Sequence, residues 1–116
     1  MECCLYGDTP IFERMIIMLK GTIKLNDQEC EGSYDSNIIS NSEKYMTNGF
    51  NATFDKETPI IFKKAIDMII EKYPTNADYL QTFTYSLDGE EIRFWIMIDD
   101  YGNGRYVLTA LLPEEY

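Results

Sequence analysis

The chain has 116 residues with 20 Asp or Glu, 10 Lys or Arg and no His, which gives a net charge of −10. This length fits one domain, and a hydrophobic content of 45% is ample for a folded core. The negative charge predicts repulsion from nucleic acids and membrane surfaces, and attraction to basic protein surfaces. No apolar run reaches transmembrane length and the start, Met1-Glu2, is acidic, so we expect a cytoplasmic protein without an export signal.

Catalytic and metal chemistry is poorly supported by the residue types present. Without histidine, most hydrolytic mechanisms near neutral pH cannot be built. Cys3, Cys4 and Cys30 lack CxxC spacing, which favours free thiols over a zinc site. Asp99-Asp100 precedes a glycine turn. We interpret these two residues as solvated turn acids, with a Mg²⁺ or Ca²⁺ site as the less favoured alternative. The sequence therefore predicts no enzyme activity, no cofactor and no metal.

Two segments are predicted to be helices. Over residues 9–20, apolar side chains recur at helical spacing after Pro10, and Gly21 follows as a stop signal. Over residues 58–73, the same pattern begins at Pro59 and ends before Pro74.

The region between these helices has weaker signals. Thr22–Leu25 and Tyr45–Phe54 are each predicted as a strand. The polar stretch over residues 26–42 is predicted as a long and mobile loop, because it is rich in Asn, Asp, Ser and Gly.

The last third of the chain predicts a three-stranded antiparallel meander over about residues 79–112. Runs of alternating apolar and polar residues flank Asp88-Gly89, a strong hairpin signal, and a third run follows Gly102-Asn103-Gly104. Trp95 and Met97 give the second face of this meander apolar side chains, so we expect a helix or a partner to cover it. The predicted fold is a single α+β domain over residues 1–116, with a mostly antiparallel sheet and the two helices packed on it.

The segment from Val107 to Tyr116 fits the pattern Val-Leu-Thr-x-x-Leu-x-x-Glu-Tyr, and an aromatic-rich strand precedes it over residues 94–101. With Thr47-x-Gly49-Phe50, these motifs resemble, over about residues 45–116, a family of small bacterial and phage proteins without an established activity. That family carries a longer polar loop where this chain has Gly102-Asn103-Gly104, and residues 1–44 fall outside the resemblance. The resemblance implies a genetic context of conflict between mobile elements and their hosts.

Charge, size and this resemblance lead to one functional expectation. The chain is predicted to be a phage- or plasmid-encoded anti-defence protein, similar to an anti-CRISPR, that occupies the basic nucleic-acid-binding surface of a host nuclease or effector. Acids at the turns would be attracted to the partner and tyrosines would anchor it. The predicted partner-binding residues are Asp88, Glu90, Glu91, Asp99, Asp100, Tyr101, Tyr106, Glu114, Glu115 and Tyr116.

Two alternatives remain open at this point. The chain could be an immunity-type or homodimeric protein-binding module, in which the Trp95 and Met97 face is buried on association. It could also be a protein that sequesters a small molecule between helices and sheet. An anionic ligand is disfavoured, because only Arg93 and Arg105 lie in the sheet region as partners for it.

Overall fold

The computed structural model describes residues 19–26 and 32–116. The prediction of a helix over residues 9–20 lies, up to residue 18, outside the described residues. Three α-helices are described: α1 (Ser36–Asn41), α2 (Asn48–Phe54) and α3 (Thr58–Lys72), with single 3₁₀ turns at Asp55–Glu57 and Pro113–Glu115. The described strands are β1 (Thr22–Leu25), β2 (Glu43–Met46), β3 (Leu80–Leu87), β4 (Glu90–Gly102) and β5 (Arg105–Leu111).

The five strands form one mixed sheet in the order β1-β3-β4-β5-β2. All neighbouring pairs are antiparallel except β2 and β5, which run parallel. The predicted meander is confirmed as β3-β4-β5, and α3 confirms the predicted second helix. The α+β class is confirmed as well.

Both meander turns use residues with positive φ. At the β3–β4 turn, φ is 51° at Asp88 and 83° at Gly89. At the β4–β5 turn, φ is 55° at Asn103 and 77° at Gly104. Asp, Asn and Gly tolerate this left-handed region best, so these short loops match the twist of the strands that they join.

The main core lies between one face of the sheet and the helices. Phe94 at the centre of β4 is fully buried, and its ring stacks on Phe83 at 4.9 Å between centroids. Phe50 and Phe54 from α2 meet the same ring edge-on at 5.4 and 5.6 Å. One apolar face of α3 adds the buried side chains Ile61, Phe62, Ala65, Ile66 and Ile69.

The strand predicted over Tyr45–Phe54 is wrong for most of its length. The chain leaves β2 at Met46 and enters α2 at Asn48. Thr47 is the N-cap, because its side-chain hydroxyl accepts a hydrogen bond from the Phe50 amide. The helix places Phe50 and Phe54, four residues apart, on one buried face.

The long loop predicted over residues 26–42 is also wrong in part. Residues 27–31 lie outside the described residues, but Ser36–Asn41 forms α1. The side chain of Asp35 accepts a hydrogen bond from the Ile38 amide and caps this helix. Ile39 is fully buried, and one buried isoleucine with a cap is enough to dock a short helix in a polar segment.

Candidate protein-binding surface

The length of β4 separates the predicted acids into two groups. This strand runs for 13 residues, from Glu90 to Gly102. At a rise of about 3.3 Å per residue, Glu91 and Asp99 lie about 26 Å apart along this strand. Asp88, Glu90 and Glu91 therefore lie at one end of the molecule, and Asp99 and Asp100 lie towards the other. The two groups therefore occupy separate parts of the surface.

The hairpin tip, defined as residues 88–91, carries exposed acids without exposed aromatic groups. Asp88, Glu90 and Glu91 are all exposed, and an added Cβ at Gly89 would meet nothing within 4 Å. The flanking apolar residues Leu87 and Ile92 are half-buried against the core. This tip offers charge on a narrow turn and little surface for a partner to bury.

The opposite end gathers acids and tyrosines from three strands and a loop. The Ile98 amide donates to the Tyr79 carbonyl at 2.7 Å, which brings the start of β3 beside Asp99. In β2, Glu43 pairs with Val107, whose other neighbour is Asp99. We call this surface the tyrosine–acid end, defined by Glu43, Tyr45, Asp78, Tyr79, Asp99, Asp100, Tyr101 and Arg105.

Exposed tyrosines distinguish this end from the hairpin tip. Among the described residues, the large hydrophobic side chains classed as exposed are Tyr45, Tyr79, Tyr101 and Tyr116. The first three belong to the tyrosine–acid end, with 52%, 49% and 59% of their surface accessible. Tyrosine presents a rigid apolar ring and a polar hydroxyl, which is why it is enriched at the centres of interfaces.

Arg105 ties two of these tyrosines to one carboxylate. Its Nε and Nη2 donate to the two carboxylate oxygens of Glu43 at 2.6 and 3.2 Å. The Tyr45 hydroxyl donates to Glu43 Oε1 at 2.9 Å. The Arg105 guanidinium carbon also lies 5.1 Å from the ring centroid of Tyr101, within cation–π range. These four side chains form one connected group, which we call the Arg105 cluster.

The protonation states of the Arg105 cluster follow from these bonds. The hydrogen bond from Arg105, followed by that from Tyr45, lowers the pKa of Glu43. The Glu43 carboxylate raises the pKa of Arg105 by accepting its hydrogen bonds. It also raises the pKa of Tyr45, because it accepts a hydrogen bond from the Tyr45 hydroxyl. Near neutral pH, Glu43 is thus an anion, Arg105 a cation and Tyr45 a neutral donor.

Asp99 and Asp100 lie on opposite sides of the sheet. Asp99 pairs with Val107 and Asp100 with Tyr106, so their side chains leave opposite faces. Tyr106 meets Tyr34 edge-on, with ring centroids 6.1 Å apart. Burial, then the negative charge of Asp100 and other nearby groups, raises the pKa of Tyr34. The tyrosine–acid end therefore carries charge on both faces of the sheet, and half-buried Tyr106 lies on the same face as Asp100.

Glu115 has an intramolecular role in the structure. Its carboxylate accepts from the Thr47 hydroxyl at 2.6 Å, the Leu112 amide at 2.9 Å and the Gly49 amide at 3.1 Å. These bonds lower its pKa and hold the C-terminal turn against the start of α2. Glu114, the neighbouring predicted partner-binding acid, is exposed and has no such role in the bonds described.

Tyr116 lies on the face of the sheet opposite the main core. Its ring centroid is 5.7 Å from that of Trp95, and 77% of its surface is accessible. Trp95 and Met97 are half-buried on this face, next to Leu111 and Thr109 of β5. Trp95 and Met97 lie midway along β4, between the hairpin tip and Asp99.

Two further features bear on the predicted chemistry. Over residues 19–26 and 32–116, no three Asp, Glu or Cys side chains converge in a way that could hold a metal ion, and no helix there is long and apolar enough to cross a membrane. An open groove of about 520 Å³ lies between β1 and α3, and Ile23, Leu25, Met68, Lys24, Glu71 and Lys72 line it.

The predicted partner-binding residues omit five members of the tyrosine–acid end: Glu43, Tyr45, Asp78, Tyr79 and Arg105. Tyr45 and Glu43 reach this end through the parallel pairing of β2 with β5, which no local pattern indicates. Asp78 and Tyr79 immediately precede β3, and the start of the predicted meander at residue 79 was the available signal.

No protein-family model matches this chain, and neither the curated proteins nor the solved structures contain a match to it. The family resemblance noted in the C-terminal segment therefore stays a prediction.

Proposed function

We propose that this chain is a phage- or plasmid-encoded anti-defence protein, similar to an anti-CRISPR, that inhibits a host nuclease or effector complex inside the bacterial cell. It binds the basic surface that normally holds nucleic acid. The observation that carries this proposal is the tyrosine–acid end, where exposed carboxylates and three exposed tyrosines lie at the same end of the sheet.

Each part of that surface contributes differently to binding. The net charge of −10 steers the protein towards a positively charged channel and raises the association rate. Tyr79 and Tyr101 supply apolar area that slows dissociation once water is excluded. Asp99 and Asp100 take the place of phosphate groups opposite the partner's Lys and Arg side chains.

A homodimeric binding module is the second candidate, favoured by the half-buried Trp95 and Met97 with Tyr116 beside them. Thr109 of this face pairs with both Met97 and Tyr45, so self-association here would also cover surface next to the tyrosine–acid end. Sedimentation velocity across a range of protein concentrations tests it: a dimer lost in Trp95→Ser supports the module, and a monomer at every concentration opposes it.

The test of the proposed inhibition is a phage-plaquing panel. Bacterial strains that each carry one defined CRISPR or restriction system are challenged with a phage which that system targets, with and without expression of this chain. We expect plaquing to recover in one system while the other strains stay protected. Protection that persists in every strain, with the protein expressed and folded, would contradict the inhibitor proposal.

Salt dependence tests the electrostatic part of the mechanism. Binding to the target identified by the panel should weaken steadily as ionic strength rises, because surface charges are screened over about 10 Å at 0.1 M salt. An affinity that is the same at low and high salt would rule out mimicry of nucleic acid as the mechanism.

A further inference from the structure

The Arg105 cluster contains a cation in the middle of a surface that we propose binds a basic partner. Simple electrostatics would make Arg105 unfavourable there. However, its side chain is 53% accessible and still held at three points: both carboxylate oxygens of Glu43 and the ring of Tyr101. Holding an exposed arginine in this way costs side-chain entropy, which these three contacts offset.

We propose that the Arg105 cluster is the anchor for an arginine-rich segment of the partner, and that Arg105 is a positioning residue which holds Tyr101 and Tyr45 ready for it. This inference deepens the proposed function and rests on it for the identity of the natural partner. The occupant follows from charge complementarity, because the chain carries a net charge of −10.

The chain itself shows how guanidinium groups fit this surface. Arg105 lies over a tyrosine ring and also makes a two-point carboxylate contact, a combination that the ammonium group of lysine cannot reproduce. Tyr101 is 59% accessible, which leaves ring surface for a second guanidinium. Asp99 is exposed on β4, where it pairs with Val107 of β5, and its carboxylate is available to that second guanidinium.

Preorganisation is the physical benefit of the cluster. Binding costs free energy when mobile side chains are immobilised, and a tyrosine that is already held avoids part of this cost. Removing Arg105 would make the protein more acidic but release Tyr101 and Glu43. The positioning role therefore predicts weaker binding, where charge alone predicts tighter binding.

The experiment titrates nona-arginine peptide into the full-length isotope-labelled protein, with NMR to map the site and calorimetry to measure affinity. We expect shift changes at Tyr45, Tyr101 and the backbone of residues 99–105, with few at residues 88–91. Nona-lysine, which has the same charge, should bind more weakly. Shift changes centred on the hairpin tip, or equal affinities for both peptides, would overturn the proposal.

Variants separate positioning from charge. Arg105→Gln should weaken nona-arginine binding about three- to tenfold, the effect of freeing one or two side chains. Arg105→Lys keeps the charge and should weaken it as well. Lys63→Gln is the matched control, because it makes the same charge change on the exposed side of α3 and should leave binding unchanged or slightly tighter.

The outcomes are distinct from those of the plaquing panel. Tighter binding by Arg105→Gln, with an unchanged thermal midpoint, would overturn the positioning role. Mapped binding at the cluster combined with a negative panel would contradict the inhibitor proposal while supporting an arginine-binding surface. Rescue in the panel, combined with no nona-arginine contact at Tyr101, would support the inhibitor proposal and contradict the arginine-binding surface.

Discussion

The two ends of β4 carry similar charge and differ in almost everything else. The hairpin tip holds Asp88, Glu90 and Glu91 on a narrow turn with half-buried apolar neighbours. At the tyrosine–acid end, Asp99 and Asp100 lie on opposite faces of the sheet, and exposed tyrosines and a fixed arginine lie at the same end. Charge sets how fast a partner arrives, whereas aromatic groups set how long it stays. The number of acids alone therefore does not locate a binding surface.

The first and largest prediction tests the strand that holds the two ends apart. Phe94→Ala removes the ring that joins Phe83, Phe50 and Phe54, and should lower the free energy of unfolding by about 3–5 kcal/mol. Chemical denaturation measures this loss, and amide exchange should rise at both ends of β4 together. Exchange that rises at one end alone would mean that the two ends are held by separate cores.

The second prediction compares the two turns directly. Gly89→Ala and Gly104→Ala each force alanine into a left-handed conformation, at φ 83° and 77°, where an added Cβ has open space. Each should cost about 1–2 kcal/mol of unfolding free energy, from backbone strain alone. Only Gly104→Ala, next to Arg105, should also weaken nona-arginine binding. Equal weakening by both would break the distinction between the two ends.

The third prediction concerns Glu115, an acid that belongs to neither end. Hydrogen bonds from Thr47, Leu112 and Gly49 lower its folded-state pKa below the ordinary value of 4.5. Its stabilising effect is therefore complete above that value and is lost as pH falls through the lower folded-state pKa. The thermal midpoint of the wild-type protein should fall over this acid range, and Glu115→Gln should reduce that fall.

Binding measurements on the same variant supply its control. Glu115→Gln should bind nona-arginine with unchanged affinity near neutral pH, because its carboxylate bonds within the chain. A large loss of binding would return Glu115 to the partner surface that the sequence assigns to it.

The smallest effect is expected at Lys63 and Asp67 on α3. This ion pair is exposed, with 59% and 60% of the two side chains accessible, and spans one helical turn. Lys63→Gln should change stability by about 0.5 kcal/mol or less in a thermal or denaturant melt. A larger change would disqualify this variant as the charge-matched control for Arg105→Gln.

Local sequence patterns were sufficient for the meander turn and for α3. Asp88-Gly89 predicts the first turn of the meander, and Pro59 with the apolar spacing that follows predicts α3. By contrast, the aromatic and polar residues of Tyr45–Phe54 fit a strand as well as they fit a helix. The capping bond of Thr47 and the packing of Phe50 decide in favour of a helix.

The candidate surface was predicted only in part, for a similar reason. Asp99, Asp100 and Tyr101 were identified because they precede a glycine turn. Glu43 joins Arg105 across 62 positions of sequence, through a parallel strand pair that no local pattern indicates. Two of the three intramolecular bonds of Glu115, to Thr47 and Gly49, also span more than 60 positions. Long-range pairing therefore decides which acids share a surface and which are used within the chain.

The most direct test compares two charge reversals of equal size. Asp99→Lys with Asp100→Lys, and Glu90→Lys with Glu91→Lys, each change the net charge by four, from −10 to −6. We expect the Asp99 and Asp100 variant to slow association with nona-arginine about tenfold or more at low salt. The Glu90 and Glu91 variant should stay within about twofold of wild type, the residual effect of its lower overall charge. Equal slowing by both variants would show that the whole field of the protein, and not the tyrosine–acid end, recognises the basic partner.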